Sequence, residues 1–151
     1  MCIRDRMRTG EIVLGLDFGG RRIGIAGSDA LGVTAQVVTV IERTSLAEDV
    51  ARIGEIAKRR GAVKIVLGLP LNMDGSMSQQ GRRVRRFANR LRRELEVEVD
   101  LWDERLSTVE AERVLIEADE SRAARKAVRD GVAAAVILQG YLDAQRRSET
   151  E

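Results

Sequence analysis

Residues 12–28 read IVLGLDFGGRRIGIAGS and place two apolar runs on either side of a single acid. The first run has the length and β-branched content of a strand, which we place at 12–18 with Asp17 near its end, and a second strand follows at 23–28. Gly19 and Gly20 permit a tight turn, so the stretch predicts a β-hairpin with a carboxylate at its tip. A carboxylate at the end of a core strand is costly unless a cation meets it, which favours a binding role. The alternative is that Asp17 only begins the turn.

Composition limits the chemistry that this acid can take part in. The chain has 151 residues, 44% of them hydrophobic, which predicts one domain. It contains no histidine, which excludes a Ser-His-Asp triad, a Cys-His pair and histidine-ligated zinc. The single cysteine, Cys2, leaves no disulfide framework and fits a reducing compartment. No run is long enough to span a membrane and no signal-peptide core is evident, so we expect a soluble cytoplasmic protein.

The order of the predicted elements indicates a mixed α/β sheet with helices on its faces. A third strand follows the hairpin, and strands and helices then alternate before two final helices. We treat residues 1–10 as a disordered or non-native extension, residues 11–145 as one domain and residues 146–151 as a frayed tail. The predicted elements after the hairpin are a strand at 33–41, a helix from Ser45 to Gly61, a strand at 64–69, a helix at 78–95, a strand at 97–102, a helix after Ser107 and a last helix through Asp130 and Tyr141.

Two basic clusters interrupt a chain whose net charge is only +2. Phosphate is the usual partner of dense guanidinium groups, although a solvated helix face explains the first cluster equally well. Aromatic residues make up only 3% of the chain, so we expect any nucleic acid to be recognised through shape and backbone. The first cluster comprises Arg82, Arg83, Arg85, Arg86, Arg90, Arg92 and Arg93, and the second comprises Arg122, Arg125, Lys126 and Arg129.

Three acids near element ends are candidates for a shared site. Besides Asp17, the strand at 97–102 ends in Asp103 and Glu104, and strand alternation alone does not decide which of these two points inward. Asp130 lies on an otherwise apolar helix stripe, where an unpaired charge is costly, and this weakens the alternative that it is only a first-turn acid favoured by the helix dipole. If the sheet brings the three acids together, they form an all-oxygen site suited to Mg²⁺ or Mn²⁺. Such ions can activate a water molecule and stabilise the leaving oxygen in the hydrolysis of a phosphodiester.

The loop after Pro70 is a further candidate for substrate contact. It reads LNMDGS over residues 71–76 and follows a predicted central strand. Binding groups collect at such positions in α/β folds, so Asn72 and Asp74 are candidates. For Asp74, a plain turn with Gly75 is the more economical interpretation.

Four ordered motifs resemble those of the YqgF family: LDFGGRRIG at 16–24, VLGLPLNMDGS at 66–76, DERLST at 103–108 and KAVRDGVAAAVILQ at 126–139. That family is described as Holliday-junction-resolvase-like and as nucleases for the 5′ end of precursor small-subunit rRNA. The resemblance spans residues 12 to about 142 and implies an RNase H-like α/β fold with a five-stranded mixed sheet. It assigns catalysis and metal binding to Asp17, Glu104 and Asp130, and implies a flexible basic segment at 121–126. Arg129 departs from the family, which more often has an apolar residue there.

The resemblance implies a metal-dependent endonuclease. We expect it to act in 5′-end maturation of pre-16S rRNA, as a monomer or homodimer that contacts ribosomal small-subunit precursors. Alternatives are a Holliday junction resolvase acting on branched DNA and a non-catalytic RNA-binding assembly factor. An actin-like kinase is less suitable because 151 residues supply one of the two domains it needs. The residues expected to bind substrate are Arg21, Arg22, Asn72, Arg105, Arg122, Arg125, Lys126 and Arg129.

Overall fold

The computed structural model of the chain describes residues 11–106 and 122–150, with side chains of the last helix described for 129–148. Within these ranges five strands form one sheet, and no helix combines the length and apolar content needed to cross a membrane. The elements are β1 (Ile12–Phe18), β2 (Arg22–Ser28), β3 (Ala35–Glu42), α1 (Leu46–Arg60), β4 (Ala62–Leu69), α2 (Gln79–Glu94), β5 (Glu98–Asp103), a 3₁₀ turn (Glu104–Leu106) and α3 (Arg122–Thr150).

The sheet is mixed, with the strand order β3-β2-β1-β4-β5. β1 pairs antiparallel with β2 and parallel with β4, and β5 pairs parallel with β4. The carboxyl ends of β1, β4 and β5 therefore meet at one edge, which is where α/β folds collect binding groups. This confirms the five-stranded mixed sheet that the sequence predicted.

The helix ends follow the capping signals in the sequence. The Ser45 hydroxyl accepts a hydrogen bond from the Glu48 backbone N–H at 3.2 Å and begins α1. Gly61 ends α1 with a φ of 69°, a left-handed conformation that suits glycine. Ser78 begins α2 in the same way by accepting from the Gly81 N–H at 2.9 Å. Local hydrogen bonding therefore sets these boundaries.

Strand alternation builds a separate core on each face of the sheet. Leu14 and Leu16 of β1 are fully buried against α1 and α2. Val13, on the other face, is fully buried with Leu138 and Leu142 of α3. Residues of β1 with odd numbers therefore face α3, and those with even numbers face the other two helices.

Several boundaries differ from those predicted, among them the start of β4 at Ala62 rather than residue 64 and the end of β5 at Asp103 rather than residue 102. α3 begins by Arg122, so the expected flexible segment is helical over residues 122–126, where Arg, Ala and Lys all favour a helix. It also continues through Thr150, into the expected frayed tail. β3 begins two residues late because Asp29 accepts hydrogen bonds from the Val33 and Thr34 N–H groups and holds them in a turn. Residues 1–10 and the helix predicted after Ser107 lie outside the described residues.

Candidate active site at one edge of the sheet

Asp17 lies at the carboxyl end of β1 and shares the face of Gly15. Gly15 packs directly against α3, since a Cβ atom there would lie 2.6 Å from the Leu138 Cβ. Asp17 is half-buried, whereas Phe18 points into the opposite core. The acid predicted at the hairpin tip therefore faces the cleft between the sheet and α3.

The neighbours of Asp17 on both adjacent strands are glycines, and each makes room for another acid. On β2 the register partner of Asp17 is Gly24, where a Cβ atom would lie 1.9 Å from the Asp130 carbonyl oxygen. On β4, Gly68 follows Leu67, the register partner of Leu16, and a Cβ atom there would lie 2.7 Å from Glu104 Oε1. The absence of both side chains lets Asp130 and Glu104 pack against the strands that flank Asp17.

The structure separates the roles of the two acids that end β5. Leu101 packs on the core of α1 and α2, and by alternation Asp103 continues that face. Trp102 packs with the core of α3, and the half-buried Glu104 side chain reaches Gly68 on this same face. Glu104 therefore lies on the face of Asp17. Alternation could not decide this because apolar residues of β5 lie on both faces, with Val99 and Leu101 on one and Trp102 on the other.

Asp103 is instead held by a neighbouring guanidinium. Arg105 Nη2 donates to Asp103 Oδ2 at 2.7 Å, and Arg105 Nε donates to both carboxylate oxygens at 3.1 Å. These hydrogen bonds lower the pKa of Asp103 and raise that of Arg105. Arg105 Nη1 also donates to the Met73 carbonyl at 3.3 Å. Arg105 therefore links the end of β5 to the loop after β4. Its predicted contact with substrate would have to form while the guanidinium keeps these hydrogen bonds.

The loop after β4 is closed by its own hydrogen bonds. Asn72 Nδ2 donates to Ser76 Oγ at 2.9 Å, and the Gly75 N–H donates to the Asn72 carbonyl at 2.8 Å. Asp74 accepts from the Ser76 hydroxyl at 2.6 Å and from its backbone N–H at 2.9 Å, and these bonds lower the pKa of Asp74. Asp74 is therefore a turn residue, as the simpler interpretation held. Asn72 is exposed, and its contact with substrate stays a prediction.

The basic residues lie at different distances from the acids. Arg22 Nη1 lies 4.0 Å from Asp130 Oδ2, and Arg22 Nε lies 3.8 Å from Glu42 Oε1. Arg22 thus offsets carboxylate charge beside the site. Arg21 is exposed at the β1–β2 turn, and Arg129 is half-buried next to Asp130. Residues 122–126 occupy the helical turns that precede Asp130.

The three acids are of the chemical type that binds an oxygen-preferring cation. Asp17, Glu104 and Asp130 come from three separate segments and lie at the same edge of the sheet, where Gly24 and Gly68 leave space for the last two. Within residues 11–106 and 122–150, no three acidic or cysteine side chains lie close enough together to hold a metal ion in this arrangement. Mg²⁺ commonly takes one or two carboxylates and completes its shell with water and substrate phosphate, so the donor set fits such an ion.

Two residues that the sequence analysis did not single out are Gly24 and Gly68. Each interrupts an apolar strand run, in IGIAG and VLGLP respectively. An isolated glycine within a strand pattern indicates a close approach of another backbone or a ligand. That signal was available in the sequence, but its partners, Asp130 and Glu104, are distant in sequence and were identifiable only from the fold.

The fold is that of the RNase H-like junction resolvases. It superposes on Thermus thermophilus RuvC in complex with a Holliday junction substrate with a TM-score of 0.57 and 14% identity, over 90% of this chain and 96% of that one. It superposes on the fowlpox virus Holliday junction resolvase with a TM-score of 0.53 and 12% identity, over 88% of this chain and 99% of that one. At these identities the likeness shows the fold alone.

Sequence comparison then identifies the family. The family model described as "RuvX: Holliday junction resolvase" matches residues 11–144, and the chain belongs to this RuvX (YqgF) family. A protein of Myxococcus xanthus is 53% identical over 145 residues, which cover 96% of this chain and 93% of the relative. A protein of Symbiobacterium thermophilum is 54% identical over 131 residues, which cover 87% of this chain and 91% of the relative. Both carry the curated name "Putative pre-16S rRNA nuclease". The resemblance inferred from the four motifs is confirmed.

Proposed function

We propose that this protein is a metal-dependent endonuclease that hydrolyses phosphodiester bonds during 5′-end maturation of pre-16S rRNA in the cytoplasm. The observation that carries the proposal is the position of Asp17, Glu104 and Asp130 at the same edge of the sheet, with Gly24 and Gly68 providing the space. The names of the relatives from Myxococcus xanthus and Symbiobacterium thermophilum support the choice of RNA.

The carboxylates provide oxygen ligands for Mg²⁺ or Mn²⁺ between the sheet and α3. When bound, such ions supply Lewis-acid activation of water and stabilise the leaving oxygen of a phosphodiester. Arg22, 4.0 Å from Asp130, limits the repulsion among the acids. Arg21, Asn72, Arg105 and the basic residues of α3, namely Arg122, Arg125, Lys126 and Arg129, are the proposed contacts to substrate phosphates.

Two single substitutions and one control variant test the proposed site. Asp17→Asn and Glu104→Gln should each lower cleavage by about 100-fold or more, because a lost ligand costs at least as much as a lost supporting contact. Asp103→Asn is the matched control, since this neighbouring acid lies on the other face and is bound by Arg105. It should retain cleavage. The assay incubates each variant with a pre-16S rRNA fragment in magnesium, manganese or chelator.

A DNA four-way junction is included as the second substrate. The family description and the RuvC-like fold favour branched DNA as the alternative target. Metal-dependent cutting of the junction but not of the rRNA would replace the proposed substrate with this one. If every protein bound the rRNA equally well and none cut either substrate, the non-catalytic assembly factor would be the correct function. A Glu104→Gln variant that cut at the wild-type rate would contradict the site itself.

A further inference from the structure

An arginine-lined cavity of about 540 Å³ lies on the face of the sheet opposite Asp17, between α2 and the start of α1. We call it the Arg43 cavity. Its floor is formed by Phe18 and Phe87, whose rings stack with centroids 4.3 Å apart at an angle of 25°. No acidic side chain described by the structure lines it. The arginines that line it are Arg43, Arg83, Arg86, Arg90 and Arg93.

Arg43 is held in place before any ligand arrives. Its guanidinium carbon lies 4.3 Å from the Phe18 ring centroid, and its Nη1 donates to the Gly19 and Gly20 carbonyls at 3.1 and 3.3 Å. Its Nε lies 3.7 Å from a carboxylate oxygen of Asp49, which is fully buried. Such preorganisation lowers the entropic cost of binding an anion.

The α2 arginines give the cavity an excess of positive charge. Arg90 pairs with Glu94, whereas Arg83, Arg86 and Arg93 have no carboxylate partner among the described residues. Guanidinium groups bind phosphate with good geometry. Base stacking is excluded as the main contact because Phe18 and Phe87 are only 4% and 2% exposed. The chemistry therefore selects a backbone phosphate.

A second cavity links this surface to the acids. It has a volume of about 370 Å³ at the β1–β2 turn, and three arginines, Arg21, Arg22 and Arg43, line it together with one acid, Glu42. It shares Arg43 with the first cavity, and Arg22 is the residue that lies 4.0 Å from Asp130. Basic side chains thus continue from the acidic edge around the turn to α2.

We propose that the Arg43 cavity binds backbone phosphates of the nucleic acid outside the scissile segment, and that the strand reaches it around the β1–β2 turn. The inference deepens the proposed function and rests on it for the identity of the polyanion. No local sequence pattern marks Arg43, because its role depends on contacts with residues of β1 and α1.

The test compares two double variants of α2 that each remove two positive charges. Arg86→Gln with Arg93→Gln alters exposed residues of the cavity, and Arg82→Gln with Arg85→Gln alters exposed residues of the same helix outside it. Binding to double-stranded RNA and to double-stranded DNA of the same sequence is measured in chelator over a range of salt concentrations. The cavity double should reduce the slope of log affinity against log salt by about 1 per arginine removed, and the control double should leave it near the wild-type value.

Equal slopes for the two doubles would overturn the proposal, because α2 would then act only as a diffuse charge. Arg86→Lys with Arg93→Lys keeps the charge and should restore most of the slope, and failure of this rescue would also count against the proposal. Urea unfolding of each variant confirms that it is folded. Because chelator prevents cleavage, these outcomes do not depend on whether Asp17 and Glu104 support hydrolysis.

Discussion

Gly24 and Gly68 flank Asp17, and each supports a different part of the site. At Gly24 the neighbour is the Asp130 backbone, which cannot move without displacing α3. At Gly68 the neighbours are the ends of the Glu104 and Ile137 side chains, which can rotate. Substitution of the two glycines should therefore produce different failures, one of stability and one of activity.

Gly24→Ala should destabilise the whole protein. The added Cβ atom would lie 1.9 Å from a backbone oxygen, so the expected loss in the free energy of unfolding is about 3 kcal/mol. Gly20→Ala is the matched control, because Gly20 is exposed, has no atom within 4 Å of an added Cβ and does not have a positive φ. Its loss should be within about 0.5 kcal/mol. Urea denaturation followed by circular dichroism measures both, and equal midpoints would contradict this packing of Asp130 on β2.

Gly68→Ala should lower cleavage more than stability. The new Cβ atom would lie 2.7 Å from Glu104 Oε1 and 2.5 Å from the Ile137 Cδ1, so both side chains must turn away. A displacement of Glu104 by about 1 Å is expected to slow cleavage by up to about 100-fold. The loss of stability should stay near 1 kcal/mol, because only flexible ends are crowded. A folded Gly68→Ala protein that cuts rRNA at the wild-type rate would show that Glu104 is not needed at this position.

At the scale of elements, α3 is attached to β4 by a buried polar contact. Lys64 Nζ donates to the Tyr141 hydroxyl at 2.8 Å, and that hydroxyl donates to Asp100 Oδ2 at 3.2 Å. Burial by itself lowers the pKa of Lys64, but Tyr141 and Asp100 more than offset this and raise the pKa above its ordinary value of 10.5. Burial raises the pKa of Tyr141. The protonated pair thus stabilises the docking of α3 on the sheet.

Tyr141→Phe should cost about 1 to 2 kcal/mol near neutral pH, because it removes the hydroxyl and keeps the ring beside Trp102. A folded-state pKa above the unfolded value stabilises the protein below the unfolded pKa, and this contribution is lost as pH rises through the folded pKa. The wild type should therefore lose stability above about pH 10, and the variant should lose less over the same range. Urea unfolding at neutral and alkaline pH tests this. Parallel losses in the two proteins would mean that Lys64 and Tyr141 are not coupled.

Over the whole molecule, the two cores share β1 and β4, so we expect them to unfold together. Leu67→Ala alters the core of α1 and α2, and Leu138→Ala alters the core of α3; both side chains are fully buried. Each change should cost about 2 to 5 kcal/mol. Circular dichroism reports on all the helices, whereas the fluorescence of Trp102, the only tryptophan, reports on the α3 side. The two signals should give one midpoint in every variant.

Separate midpoints in Leu138→Ala, with fluorescence changing before circular dichroism, would contradict this view. They would show that α3 leaves the sheet while α1 and α2 stay folded. The sheet would then be stable with one face uncovered, which its apolar residues on that face, such as Val13 and Val66, argue against.

The sequence by itself determined the elements and most of their ends. β1 was predicted at its observed bounds, and the helix ends predicted at Ser45, Gly61 and Ser78 are the observed caps, because each depends on groups a few residues away. The family motifs named Asp17, Glu104 and Asp130, and the structure brings these acids to one face of one sheet edge. One expectation taken from the family resemblance was wrong, since the basic segment at 121–126 was expected to be flexible and residues 122–126 are helical.

Only the tertiary structure decided the strand order, the face that Glu104 takes and the partners of the glycines. The order β3-β2-β1-β4-β5 places Asp17 between Gly24 and Gly68, which are 7 residues and 51 residues away in sequence. The Arg43 cavity likewise joins β1, α1 and α2. These features depend on contacts between distant segments, whose energies arise from burial and packing after the elements have formed. A local sequence pattern does not predict such contacts, because it does not specify which elements become neighbours.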